Sequence, residues 1–129
     1  VASLLTLALV LVPMMALIAY AGSDSSNFSF SFGSAAGVDY DRAYKSDVGS
    51  SSGYYAQANV NSVGFNGGSV TMCVEKTNGT RITNMETVTS TGTVYFYYDT
   101  GSLTYNTYVV LTARVHSGIP GGCSGVWWP

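Results

Sequence analysis

Charge is scarce in this 129-residue chain, with charged side chains making up 9% of it against roughly 25% in ordinary soluble domains. Five basic and seven acidic residues leave a net charge of -2, and the basic ones are scattered. Such a chain has no electrostatic footprint for nucleic acid or for an anionic membrane surface. Near-neutrality lowers the solubility of a free monomer and suits a surface that is packed, glycosylated or exposed to harsh media. Histidine is almost absent too. His116 stands alone, with no Asp or Glu beside it in sequence to orient it as a base, so a surface strand residue is expected there. No G-x-S-x-G elbow, S-x-x-K pair, GxGxxG or phosphate loop occurs. Asp39-Tyr40-Asp41 with Asp47 offers oxygen ligands, but the glycine and closing acid of an EF-hand are missing, so no metal is assigned. These absences predict a non-enzymatic protein without a cofactor.

Cysteine is limited to Cys73 and Cys123, without the close Cys/His spacing of a zinc site or a redox CxxC. A disulfide between them would close a loop of about fifty residues and stabilise by ~4 kcal/mol in the chain-entropy model. It would tie the C-terminal segment to a mid-domain strand and place the protein in an oxidising compartment. Two free buried thiols are the other reading.

What the chain does have is one long oily stretch, residues 1–22, VASLLTLALVLVPMMALIAYAG, with no charged side chain before Asp24. At ~1.5 Å per residue a helix over it is roughly 30 Å long, the hydrocarbon thickness of a bilayer. Apolar residues run all round, so the helix needs burial on every side, by lipid or by protein. The remaining hundred or so residues form one small core and cannot supply that. The expected division is therefore an assembly helix over 1–23 and a head over 24–129. Val1, Leu4, Leu5, Ala8, Leu11, Pro13, Met14, Leu17 and Ile18 are its packing positions. Ala2, Ser3, Thr6, Ala16, Ala19 and Ala21 let helix backbones approach closely. Pro13 removes a backbone donor and leaves the Leu9 carbonyl without its usual partner, favouring a kink. A secretory signal peptide or a plain anchor would carry basic residues near this stretch, and none precedes Arg42. The start at Val1 rather than Met suggests a leader removed upstream.

The head reads as strands. Asn27 to Phe32 alternates strictly, with three Phe on one face and Ser on the other. Further strands are expected over 38–44, 54–60, 69–76, 80–90, 93–98 and 103–116, with a short terminal piece over 123–129. Asn78-Gly79 is a hairpin signal, and Asp99-Thr100-Gly101-Ser102 a second turn. On the last long strand Tyr105, Thr107, Val109, Leu111, Ala113 and Val115 share one face, opposite Tyr108, Arg114 and His116. Seven or so strands at roughly ten-residue spacing predict a β-sandwich of Ig-like size. With the leading helix the class is α+β.

Asn27-Phe28-Ser29 and Asn78-Gly79-Thr80 fit the N-glycosylation pattern, a triplet that chance also makes common in so polar a chain. Tyrosines at 95, 97, 98, 105 and 108 suggest an adhesive or subunit-contact surface, or ordinary cross-strand pairs. Trp127 and Trp128 read as cover for a sheet edge or a neighbouring subunit, ahead of a sugar site.

An uncharged run from Val1 to Tyr20, switching abruptly at Gly22-Ser23 to a β-rich head, resembles a type IV pilin-like filament subunit. Bacterial members carry a glutamate at the fifth mature position, where this chain has Leu5. Archaeal adhesive pilins are the closer likeness, since their helices commonly lack that acid and their heads are Ser/Thr/Gly-rich β-sandwiches. The resemblance implies a membrane-inserted precursor whose helix lies in lipid until identical subunits replace the lipid. It further implies a homopolymeric extracellular cell-surface filament, with a surface or cell receptor as its adhesion partner. The rival expectation is a single-pass membrane-anchored β-sandwich ectodomain, acting as a receptor, viral or secretion component.

Overall fold

Alternation of apolar and polar side chains sets the architecture of this protein. A computed structural model describes residues 24–33, 37–46, 55–65, 67–102, 106–117 and 121–129. Eight strands follow in chain order: β1 Ser26–Ser31, β2 Val38–Lys45, β3 Tyr55–Val63, β4 Ser69–Lys76, β5 Glu86–Val88, β6 Gly92–Tyr97, β7 Thr107–Ser117 and β8 Gly122–Trp128. They form two four-stranded sheets, β1-β8-β3-β6 and β2-β7-β4-β5, with every pairing antiparallel. The expected α+β class is corrected by this arrangement, because the described residues are strand and contain no helix. The helix expected over 1–23 lies outside the described residues. Among the described residues no helix is long and apolar enough to cross a membrane.

The strand order, which the sequence leaves open, is not that of an Ig domain. Ig sheets keep the first two strands side by side. Here β4–β5 is the one consecutive pair that stays in a sheet, and every other connection passes to the opposite sheet. The first described strand, β1, instead pairs with the last, β8.

Phe28, Phe30 and Phe32 project inward together, as the alternation of β1 requires, and meet Val70, Met72 and Val74 of β4 with Val109, Leu111 and Ala113 of β7 in one buried cluster. β7 lies between β2 and β4, the central place its length suggests. The terminal piece differs from its reading. It is a full strand, β8, hydrogen-bonded on both sides, and Trp127 projects from it into the core. Glycines hide it in the sequence, yet packing demands one of them: a Cβ on Gly125 would stand 1.9 Å from the Asn59 carbonyl oxygen of β3.

The Asn78-Gly79 turn forms as expected. The Gly79 N–H donates to the Lys76 carbonyl at 2.9 Å and the Lys76 N–H to the Thr80 carbonyl at 2.8 Å. Only Gly79 takes a positive φ there, 86°, so the loop is the three-residue kind that ends on a left-handed glycine. The strand expected over 80–90 is shorter than its pattern. Arg81 bridges to Glu75 of β4 and Thr83 to Tyr98 beside β6, so this segment crosses from one sheet to the other before β5 begins.

That crossing leaves Val74, paired with β7 on one side, beyond the reach of β5 on the other, and the segment supplies substitutes. The Ile82 N–H donates to the Val74 carbonyl at 2.9 Å, and the Val74 N–H donates to the Thr83 hydroxyl at 2.9 Å. Thr83 in turn donates to the Asn84 carbonyl at 2.9 Å and is fully buried. A buried amide that loses its acceptor costs about 1–3 kcal/mol. Thr83→Val keeps the shape and removes the acceptor, so urea unfolding is expected to show a loss in that range. Thr83→Ser, which keeps the hydroxyl, is expected to lose less.

Candidate functional site: two aromatic sheet faces

Each sheet turns one face to the core and one outward, and the outward faces carry most of the exposed aromatic side chains. On the β2-β7-β4-β5 sheet the pattern of β2 is inverted. Ala43 is its inward apolar residue, flanked on that side by Asp39, Asp41 and Lys45, while Val38, Tyr40, Arg42 and Tyr44 face outward. Tyr40 is 70% exposed. Register sets Tyr44 opposite Tyr108 of β7, and the two rings meet edge to face at 5.1 Å. The Arg42 guanidinium lies 4.0 Å from the centre of the Tyr108 ring.

Beside that aromatic strip, on the same outward face, lies a polar cluster. Glu75 Oε1 accepts from Arg114 Nη2 at 2.8 Å and Glu75 Oε2 from the Thr112 hydroxyl at 3.0 Å. The Cys73 thiol completes it, donating to Glu75 Oε1. Arg114 is half exposed, so this ion pair contributes little stability beyond its geometry. The face is thus mixed in charge, with His116 exposed at its end on β7.

The outward face of β1-β8-β3-β6 is different. Trp128, Tyr55, Tyr95 and Tyr97 stand among amides and hydroxyls, and the Tyr55 ring meets Tyr95 at 5.4 Å and Tyr97 at 6.1 Å. The tyrosines that cluster in sequence are therefore divided. Tyr95 and Tyr97 serve this face, Tyr108 serves the other, and Tyr98 points inward. Burial raises the Tyr98 phenol well above its ordinary range, and its hydroxyl is buried without a partner. Tyr105 lies outside the described residues.

No family model, curated protein or solved structure matches this chain.

The sequence-predicted site residues are dispersed. Val1, Leu4, Leu5, Ala8, Leu11, Pro13, Met14, Leu17 and Ile18 lie outside the described residues. Asn27 is exposed on β1, and Asn78 is exposed in the hairpin turn, where its Oδ1 accepts from the Thr80 N–H at 3.0 Å. Asp39 and Asp41 are both hydrogen-bonded: Asp39 accepts from the Ser31 and Tyr40 amides, and Asp41 from the Trp127 indole. Asp47 lies outside the described residues. Among those residues no three His, Cys, Asp or Glu side chains gather to hold an ion.

The expected Cys73–Cys123 disulfide is not formed, and both thiols are free and buried. Strand parity is the reason. Val70, Met72 and Val74 fill the core side of β4, so Cys73 between them faces outward to Glu75, whereas Cys123 faces the core from the opposite sheet. A sheet stands between the two sulfurs. Burial, then the Glu75 charge, raises the Cys73 thiol to about 11, and burial with Asp39 raises Cys123 to about 11.

With such values roughly a thousandth of either thiol is ionised at pH 8, so both are poor nucleophiles in the folded state. Ellman's reagent without reductant is expected to leave the native protein unlabelled and to titrate both thiols in denaturant. A denatured sample showing none would restore the disulfide.

Proposed function

We propose that this chain is a structural subunit of an extracellular, type IV pilus-like filament, assembled through its apolar N-terminal segment and used for adhesion. The observation that carries the reading is a mismatch between two parts. Residues 1–22 form a 22-residue run without one charged side chain. The described strands, meanwhile, bury their own apolar faces against each other in a single cluster. With those faces spent on one another, the oily run is left to find burial in lipid or among identical runs from other subunits.

The outward face of β2 and β7 fits lateral contact between heads. Tyr and Arg are enriched in protein interfaces, and Tyr40, Tyr44, Tyr108 and Arg42 gather there with Val38 beside them. Low net charge favours the same outcome, since copies of this head repel one another weakly.

Shearing cells and imaging the supernatant tests the reading. Filaments are expected from the full chain and a soluble monomeric head from a variant lacking residues 1–23. Polymerisation of that truncated head would overturn the assembly role, and full-length protein extracted only by detergent as a monomer would favour the anchored ectodomain. Tyr40→Ala with Tyr108→Ala is expected to make filaments break at lower shear while the head's thermal midpoint stays nearly unchanged.

A further inference from the structure

The outward face of β1-β8-β3-β6 carries a chemistry that the head-to-head contact does not use. Register arranges it in rows. One row crosses three strands as Trp128, Gln57 and Tyr95, and the next crosses four as Asn27, Val126, Asn59 and Thr93. Rows on a strand face stand about 7 Å apart, which brings rings of one row beside amides of the next. Within these rows there is no carboxylate, ammonium or guanidinium. Glu86 approaches the rim at Tyr95 and Tyr97, where it accepts from the Asn84 amide. The opposite face holds Arg42, Arg114, Glu75 and His116. The two faces of one small head thus differ in charge as well as in place.

Several of the polar groups are preset. Asn59 Oδ1 accepts from Gln57 Nε2 at 3.0 Å and from the Thr93 hydroxyl at 3.1 Å, which fixes the Asn59 carboxamide on the sheet. Its Nδ2 donors and the Gln57 Oε1 acceptor enter no hydrogen bond among the described residues. A carboxamide offers both donors and an acceptor, which is what a sugar hydroxyl needs, being donor and acceptor itself. Trp and Tyr rings are rigid and lose little entropy on contact, and the C–H face of a pyranose packs on them. A phosphorylated or acidic ligand would meet no cation in these rows, and a basic one no carboxylate.

We propose that this face binds a neutral oligosaccharide, with Trp128 and Tyr95 as stacking rings and, as the hydrogen-bonding groups, Gln57 between them and Asn59 in the next row. The inference gives the adhesive part of the filament reading a ligand class and rests on that reading for its use, not for its chemistry. A head that binds sugar on one face and neighbouring heads on the other is adhesive along the whole filament.

The test uses the full-length chain with cellohexaose, maltohexaose and chitohexaose as probes. Binding is read from intrinsic tryptophan fluorescence and from retardation in polysaccharide-loaded gels. Saturable binding of at least one probe is expected, weakened about tenfold by Tyr95→Ala and by Gln57→Ala, both at exposed or half-exposed positions, and unaltered by Tyr108→Ala on the opposite face. Trp128→Ala is expected to remove the fluorescence response while Trp127 still reports the folded core. Absence of saturable binding with all three probes overturns the proposal. Equal weakening by Tyr108→Ala does so too, as does loss of self-association in Tyr95→Ala without any sugar binding, which would mark this face as an interface between copies. Electron micrographs of the same samples report assembly separately, so failure of sugar binding and failure of the filament are told apart.

Discussion

One contact decides how the two sheets meet. The Trp127 side chain is fully buried, and its indole N–H donates to Asp41 Oδ2 at 2.7 Å across the sandwich. A buried indole donor without an acceptor costs about 1–3 kcal/mol, so β8 and β2 are held in one relative position by a directional bond within an otherwise non-directional core. The neighbouring inward positions of β2 repeat the device. Asp39 accepts from the Ser31 amide of β1 at 3.0 Å, and Lys45, 2% exposed, donates from Nζ to the Pro129 carbonyl at 3.1 Å. Three of the few charged residues in the chain thus form a polar seam along one side of the sandwich.

The seam explains the surface. A strand that turns Asp39, Asp41 and Lys45 inward has to turn its apolar residues outward, because strand side chains alternate. Val38, Tyr40 and Tyr44 are therefore exposed by the same geometry that ties the sheets together. Outer face and core are coupled through β2. Changing Tyr40 or Tyr44 alters what the head can touch, whereas changing Asp41 alters whether the sheets stay in register.

The inversion also marks where the sequence was hard to read. β1 was legible because Phe28, Phe30 and Phe32 alternate with serine and point to the core. β7 was legible for the same reason, with Val109, Leu111 and Ala113 inward and Tyr108, Arg114 and His116 outward. β2 obeys the same period with the opposite meaning, which no count of hydrophobic residues reveals. In β8 the close approach of Asn59 that demands Gly125 is set by a strand more than sixty residues away in sequence, so nothing local marks that glycine as a strand residue. The disulfide misled because cysteine content speaks to compartment, while bonding needs two side chains that face each other at close range, and Cys73 faces away from the core that Cys123 enters. The two outward faces were visible only as a surplus of tyrosine until register assigned each ring to a sheet.

A sheet protein must keep its edges from joining those of its neighbours, and a lysine presented outward on an edge strand is one usual guard, whereas Lys45 on the edge strand β2 is buried. This fold guards them by other means. Asp39 occupies two edge amides at once, Ser31 of β1 through Oδ2 and Tyr40 of β2 through Oδ1. At the edge of β6 the crossing segment covers Tyr97, whose N–H donates to Asn84 Oδ1 at 2.6 Å and whose carbonyl accepts from the Asn84 amide at 3.2 Å. The fourth edge, β5, is three residues long and gives an incoming strand little to pair with. With its edges closed in these ways, the head is left to associate through side chains on its faces. That restriction sets contact through the faces of the head apart from strand pairing at its edges, which is the pairing an amyloid template needs.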